Sequence, residues 1–166
     1  QSATESICVQ QISIDSSGQL LNETIAAAQR GVEVRILLSG AWYVEKENRA
    51  LATQLRTRAR REGLPIEVRL AEPRSRYDHV HVKGLIVDGE STLVGSLNWN
   101  PNALHENREI AVRIDDETTA AGFERAFLAD WRGAAWRVSW GTVVGVGMIL
   151  IGGLWYASQI ATFERS

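Results

Sequence analysis

The chain has 166 residues, enough for one ordinary domain and an appendage. Its formal net charge of −2 excludes the global basic field that a nucleic-acid binder usually carries. Apolar and charged contents near globular averages exclude disorder as the default, and the single cysteine, Cys8, excludes an internal disulfide or a cysteine metal site.

The alternating apolar run from Ile7 through Ile14 predicts a first strand, with Cys8 a small buried residue inside it. Leu20 to Arg30 follows as a helix, with Leu21, Ile25 and Ala28 on one face and Gly31 as its stop. Its Asn22-Glu23-Thr24 triplet matches a glycosylation sequon, which inside a helix reads as chance. Val32 to Leu38 is a strand that ends at Ser39-Gly40 and leads to a loop with Trp42 and Tyr43. Glu47 to Glu62 is a second helix, with Leu51, Leu55 and Ala59 in register, stopped by Gly63 and Pro65. Ile66 to Leu70 is a short strand, and Glu72 to Asp78 a polar loop with Arg74 and Arg76. His81 to Asp88 and Thr92 to Trp99 are two strands joined at Asp88-Gly89, a hairpin turn signal. After the loop Pro101 to Asn107 comes a strand from Arg108 to Ile114. Asp116 then caps a helix to Trp131, with Ala120, Phe123, Phe127 and Trp131 on one face. The early βαβ units predict parallel strands with covering helices, and the later hairpin adds antiparallel ones. The fold class is α/β: a mixed β-sheet flanked by helices.

The final segment is of another kind. From Val138 to Phe163 there is no charged residue, a length that can cross a bilayer core. Trp136 and Trp140 precede it, and Trp155 and Tyr156 lie near its far end, as interfacial belts would. We expect a domain over residues 1–133 and a single-pass C-terminal membrane anchor over 134–166, with a transmembrane helix at about 140–161. Gly141 and Gly145 form a GxxxG pair that carries little weight alone. Arg132 and Arg137 at one end against Arg165 at the other lean slightly to a cytoplasmic domain, and the side stays open.

The chemistry gathers in HVKGLIVD and GSLNWN. A strand period of two puts His81 and Lys83 on one side and Ser96 and Asn98 on one face of the next strand. An imidazole, an ammonium, a hydroxyl and an amide suit an anionic tetrahedral group such as phosphate. Lys83 and Lys46 are the only lysines, so Lys83 is hard to dismiss as a generic surface residue. Lys83, Ser96 and Asn98 can hold the non-bridging oxygens of a phosphodiester as charge builds on them. A neutral histidine nitrogen can attack phosphorus and split one displacement into two. Asp88 has the opposite parity, which suits a structural role at the turn or a neighbouring backbone. Around the motif, Arg74 and Arg76 suit either a head-group contact or a solvated loop. Trp42 and Tyr43 suit either a cleft lining or aromatic packing. His79 and His105 read as rim or solvent residues, and Trp99 as packing.

These residues resemble the phospholipase D superfamily. Its signature is H-x-K-x4-D followed by six residues and Gly-Ser, here His81, Lys83, Asp88 and Gly95-Ser96, with Asn98 and Glu109 where the family has its Asn and its downstream acid. The resemblance covers about residues 5 to 132. It implies catalytic roles for His81, Lys83, Asp88 and Glu109, a phosphohistidine intermediate, and Glu109 as the acceptor that orients the histidine ring. No cofactor and no metal is required by that scheme. Family sites use two motif copies across a pseudo-two-fold axis, one histidine as nucleophile and the other as general acid. This chain has one, so a second motif-bearing half is the implied partner, from a homodimer or a longer precursor. The opening at Gln1 without an initiating Met favours the precursor, and His81 can be either nucleophile or acid. A phosphodiester substrate follows; the expected anchor favours a phospholipid over nucleic acid. A membrane-anchored nuclease of this family and a non-catalytic membrane-tethered binding or dimerisation module are the competing readings.

Overall fold

The computed structural model describes residues 3–71 and 80–133. Six strands form one mixed sheet: β1 (Ser6–Gln11), β2 (Glu33–Ser39), β3 (Ile66–Ala71), β4 (Gly84–Val87), β5 (Ser91–Gly95) and β6 (Ala111–Asp115), in the spatial order β3-β2-β1-β4-β5-β6. β1, β2 and β3 are mutually parallel, and β4, β5 and β6 are added antiparallel. The mixed sheet expected from the order of elements is therefore present.

Three long helices cover the sheet: α1 (Gln19–Gln29), α2 (Glu45–Glu62) and α3 (Glu117–Gly133). The strand period of two decides which residue meets which helix. Ile7, Val9, Ile36, Leu38, Val68 and Leu70 face Leu21 and Ile25 of α1 and Leu51 and Leu55 of α2. Cys8, Leu37, Ala71 and Ile86 face the other way, onto Ala120, Phe127 and Trp131 of α3. Burial pushes the Cys8 thiol up to about 11, which leaves it protonated and inert at neutral pH. Arg69 lies over the Trp131 ring at 4.3 Å from its centroid, and Phe127 and Trp131 stack at 5.6 Å.

The element ends follow local chemistry. Gly63 closes α2 in the left-handed conformation, at φ 66°. Asp116 caps α3 by accepting from the Thr119 amide at 2.7 Å. Asn48 of α2, buried to 1%, donates to the carbonyls of Ile12 and Ser39, both at 2.7 Å, and so fastens the ends of β1 and β2 together.

Some expectations are corrected. The first strand stops at Gln11; Ile14 instead forms an isolated parallel bridge with Trp99, which is buried in the core as packing. Phe123 is exposed, at 36%, whereas Ala120, Phe127 and Trp131 are buried. The loop at 101–107 winds into a short wide helical turn over Asn102–Glu106, started by the Asn100 side chain accepting from the Ala103 amide at 2.9 Å. No helix among the described residues is long and apolar enough to cross a membrane. The expected anchor and its 133/134 boundary, like the loop with Arg74, Arg76 and His79, lie outside the described residues.

The two outer strands of the sheet, β3 and β6, each carry an acid and an arginine two residues apart. Glu67 and Arg69 pair at 3.5 Å, and Arg113 and Asp115 at 2.8 Å.

Candidate active site

One rim of the sheet collects the motif, and the reason is strand direction. The parallel strands β1, β2 and β3 end there, at Gln11, Ser39 and Ala71. β4 runs against β1 and therefore begins there, β5 returns to it, and β6 starts from it. His81 and Lys83 lead into β4, Ser96 and Asn98 leave β5, and Glu109 leads into β6. The strands expected to begin at His81 and at Arg108 and to continue to Trp99 are shorter. The β1–β4 ladder starts at the Gln10–Gly84 pair, and the β5–β6 ladder at Gly95–Ala111. The candidate residues thus sit just beyond the strand ends, where Lys83 and Ser96 still keep one backbone bond each to a neighbouring strand: the Gly95 amide donates to the Lys83 carbonyl at 3.3 Å, and the Ser96 amide to the Ile110 carbonyl at 2.9 Å.

Lys83 is buried to 9% exposure, while His81 above it is exposed. The Lys83 ammonium donates to the His81 carbonyl at 3.1 Å and lies 3.2 Å from His81 Nδ1. An ammonium donating to Nδ1 leaves the lone pair there and the ring proton on Nε2. Burial pushes the Lys83 amine below its ordinary range, and the Glu109 charge pulls part of the way back.

Ser96 and Glu109 form the second part. The Ser96 hydroxyl donates to Glu109 Oε2 and accepts from the Ile110 amide at 3.1 Å. Asn107 donates to Glu109 Oε1 at 3.1 Å. The Ser96 hydroxyl above all, then the Asn107 amide, hold the Glu109 carboxyl below the usual carboxylate range, with Lys83 adding a smaller pull against a little desolvation. Gly95 makes this closeness possible. A Cβ there would collide with the Ile110 carbonyl and lie 2.7 Å from Ala111 Cα. Only a glycine lets the backbone before β6 press against the end of β5.

Among the described residues, no hydrogen bond joins Glu109 to His81, the contact implied for its orienting role. The carboxylate's hydrogen-bond partners there are Ser96 and Asn107, because the Gly95 contact clamps it beside the β5 end, and it meets Lys83 through charge. Asn98 is half-buried, and its Oδ1 is buried with no hydrogen-bond partner among the described residues.

Asp88 lies at the other end of β4, in a turn where Asp88 and Gly89 have φ of 55° and 67° and the Glu90 amide donates to the Val87 carbonyl at 3.0 Å. Its carboxylate accepts the amides of Thr4, Glu5 and Ser6, each at 2.9 Å, and the Thr4 hydroxyl at 3.1 Å. Partial burial raises its pKa, but those donors outweigh it and hold the carboxyl below the ordinary value. Asp88 fastens the start of β1 and does not reach the rim.

Trp42 and Tyr43 follow the end of β2 on the same rim; Trp42 is 86% exposed, and the rings meet edge to face at 5.6 Å. Neither enters the core. His105 is exposed on the wide turn. Two residues escaped sequence reading. Asn107 holds Glu109, as above. Gln11 is buried to 2% on β1, at the parity of Ile7 and Val9, where a polar residue in a core-facing position was the available signal.

Residues 1–131 match the family model described as cardiolipin synthase, PLD-like domain. Cardiolipin synthase A of Escherichia coli is 35% identical over 104 residues, covering 61% of this chain and 19% of that protein. The chain thus spans about a fifth of the length of the curated relatives it matches. Among solved structures, Nuc from Salmonella typhimurium, a phospholipase D family member, superposes with a TM-score of 0.62 at 25% identity, over 80% of this chain and 81% of its own. NucT from Helicobacter pylori does so with the same TM-score at 22% identity, over 80% and 82%, a likeness of fold.

Proposed function

The chain belongs to the phospholipase D superfamily, with a cardiolipin synthase-like domain, and on that premise we propose that it carries one half of a phosphodiesterase or phosphatidyltransferase site. The observation that carries this reading is the convergence on one rim of an exposed imidazole, a buried ammonium 3.2 Å from it, and the Ser96–Glu109 pair.

In the proposed reaction, a phosphodiester enters with its non-bridging oxygens toward Lys83, Ser96 and the Asn98 amide. Lys83 neutralises the anion, and its buried position strengthens that interaction relative to water. A histidine nitrogen lone pair forms a bond to phosphorus while the bond to the leaving alcohol breaks. The leaving oxygen takes a proton from an acid on the other half-site. Water, or an alcohol in a transfer, then attacks the phosphohistidine and regenerates the ring. His81 serves as nucleophile or as acid. As nucleophile at Nε2, it must exchange the Lys83 contact at Nδ1 for an acceptor, and Glu109, which meets Lys83 through charge, is the candidate for that role. The second motif-bearing half comes from the same polypeptide or from a second copy.

The proposed substrate is a phospholipid. In support, the matched family model and the curated relative both carry the cardiolipin synthase name, the net charge of −2 disfavours a polyanion, and the uncharged run from 138 to 163 has the length of a membrane anchor. Turnover of phosphatidylglycerol vesicles is expected to exceed turnover of single-stranded DNA, and the reverse order favours the nuclease reading. His81→Asn is expected to reduce turnover by at least about a thousandfold without changing the thermal unfolding midpoint, since the ring is exposed. Full activity in that variant removes His81 from the mechanism; no activity in the parent chain supplied with a second half supports the binding-module reading.

A further inference from the structure

Lys83 has three N–H donors, and two are spent on His81, on the carbonyl and toward Nδ1. Gln11 has the complementary shortfall. Its side chain is 2% exposed, and its Oε1 has no hydrogen-bond partner among the described residues. Leaving an amide oxygen dry and unpaired is costly, so a native structure normally supplies a donor.

The sheet register brings the two together. Gln10 pairs with Gly84 across β1 and β4, and one step further along both strands places Gln11 beside Lys83, on the face opposite α3. Both line a cavity of about 10 Å³ whose other walls include Leu93, Leu97 and Trp99. That volume is about what a single water centre requires. Among the described residues, the titratable groups that face the ammonium are His81, from the segment entering β4, and Glu109, from the segment entering β6. β1 offers it Gln11, and β5 offers Leu93 and Gly95.

We infer that Gln11 is a positioning residue for Lys83: its carbonyl oxygen takes the third N–H of the ammonium through one water held in this cavity. The sheet thereby grips the cation from behind. Its other two N–H groups are left to exchange His81 for the oxygens of a phosphoryl group without the ammonium swinging away. The amide dipole also favours the charged form of an amine that burial disfavours. The catalytic part of this inference rests on the reading of Lys83 as the phosphate-binding cation; the grip itself does not.

Two lysines in the whole chain make the test direct. The full chain, labelled with 15N and 13C at lysine only, gives one signal for Lys83 and one for Lys46, an exposed residue of α2 that serves as the internal control. In Gln11→Met the Lys83 midpoint is expected to fall by about one pH unit, with Lys46 unmoved; in Gln11→Glu it rises. With phosphatidylglycerol vesicles, kcat of Gln11→Met falls about tenfold, the alkaline limb of its pH profile moves down with the NMR midpoint, and Gln11→Glu recovers that limb. A Lys83 midpoint identical in the parent, Gln11→Met and Gln11→Glu would falsify the grip. So would a crystal structure of the parent at atomic resolution with no water between Gln11 Oε1 and Lys83 Nζ, a result that stands even if a variant does not fold. A parent that stays inactive when supplied with a second motif-bearing half, and whose Lys83 midpoint still follows Gln11, overturns the phosphodiesterase reading and leaves the grip in place.

Discussion

In the parallel part of the sheet Val9, Ile36, Leu37 and Leu38 are fully buried between α1 and α2 on one face and α3 on the other. In the antiparallel part only Ile86 and Thr92 are buried within the strands, and β6 leaves Ala111, Val112 and Arg113 exposed. The first part is held by apolar burial. The second is held by directed contacts: the Asp88 clasp at one end of β4, and the Gly95 approach with the Ser96–Glu109 pair at the other. The motif residues belong to the second part, where side chains other than Lys83 are accessible and individual hydrogen bonds fix their places. Stability and chemistry are thus separable in this molecule, and substitutions should sort accordingly.

The sharpest contrast is expected from Leu38→Ala in β2, which should cost about 3 kcal/mol in urea unfolding by opening a cavity in a sealed layer, while kcat of the folded fraction stays near the parent value. Gly95→Ala should behave in the opposite sense. Its Cβ drives the Ile110 backbone away and carries Glu109 with it, and a misplacement of that order lowers turnover about a hundredfold. Retention of full activity in Gly95→Ala would show that the close approach is dispensable. Asp88→Asn should lie between, losing about 1–2 kcal/mol at pH 7 because one charged acceptor of backbone amides is gone. The sign with pH follows from the lowered Asp88 pKa. Its stabilisation is complete above the unfolded carboxyl value, about 4, and drains away as pH falls through the lower folded value, so parent and variant should converge in acid. A gap that stays constant from pH 7 to strongly acid solution would remove the charge from the explanation. The smallest effect is expected from Val112→Ala on β6, below about 0.5 kcal/mol, since that side chain is already in solvent.

The same division explains what could be read from residues alone. Periodicity located β1, β2, β3, α1, α2 and α3 because each presents a full apolar face to a covered layer, and Leu51, Leu55 and Ala59 of α2 are buried as the spacing requires. Turn chemistry placed the hairpin, since Asp88 and Gly89 carry the left-handed backbone that such turns demand. The limits of β4, β5 and β6 were beyond reach, because where a ladder stops depends on which partner strand lies alongside. His81 looks like the beginning of a strand until β1 is seen to begin its pairing at Gly84. Motif spacing pointed to the residues at the rim but not to their contacts. That Glu109 turns to Ser96 and Asn107 depends on a backbone approach at Gly95 that no pattern of side chains encodes. Gln11 went unnoticed for a similar reason, since its neighbour Lys83 is 72 positions away and is brought beside it only by the sheet register.

The charged pairs on the two outermost strands, Glu67 with Arg69 and Arg113 with Asp115, bear on how the molecule meets others of its kind. A stray extended peptide that tried to lengthen the sheet would have to lie against a guanidinium and a carboxylate and strip water from both, which discourages templated, fibril-like growth from either border.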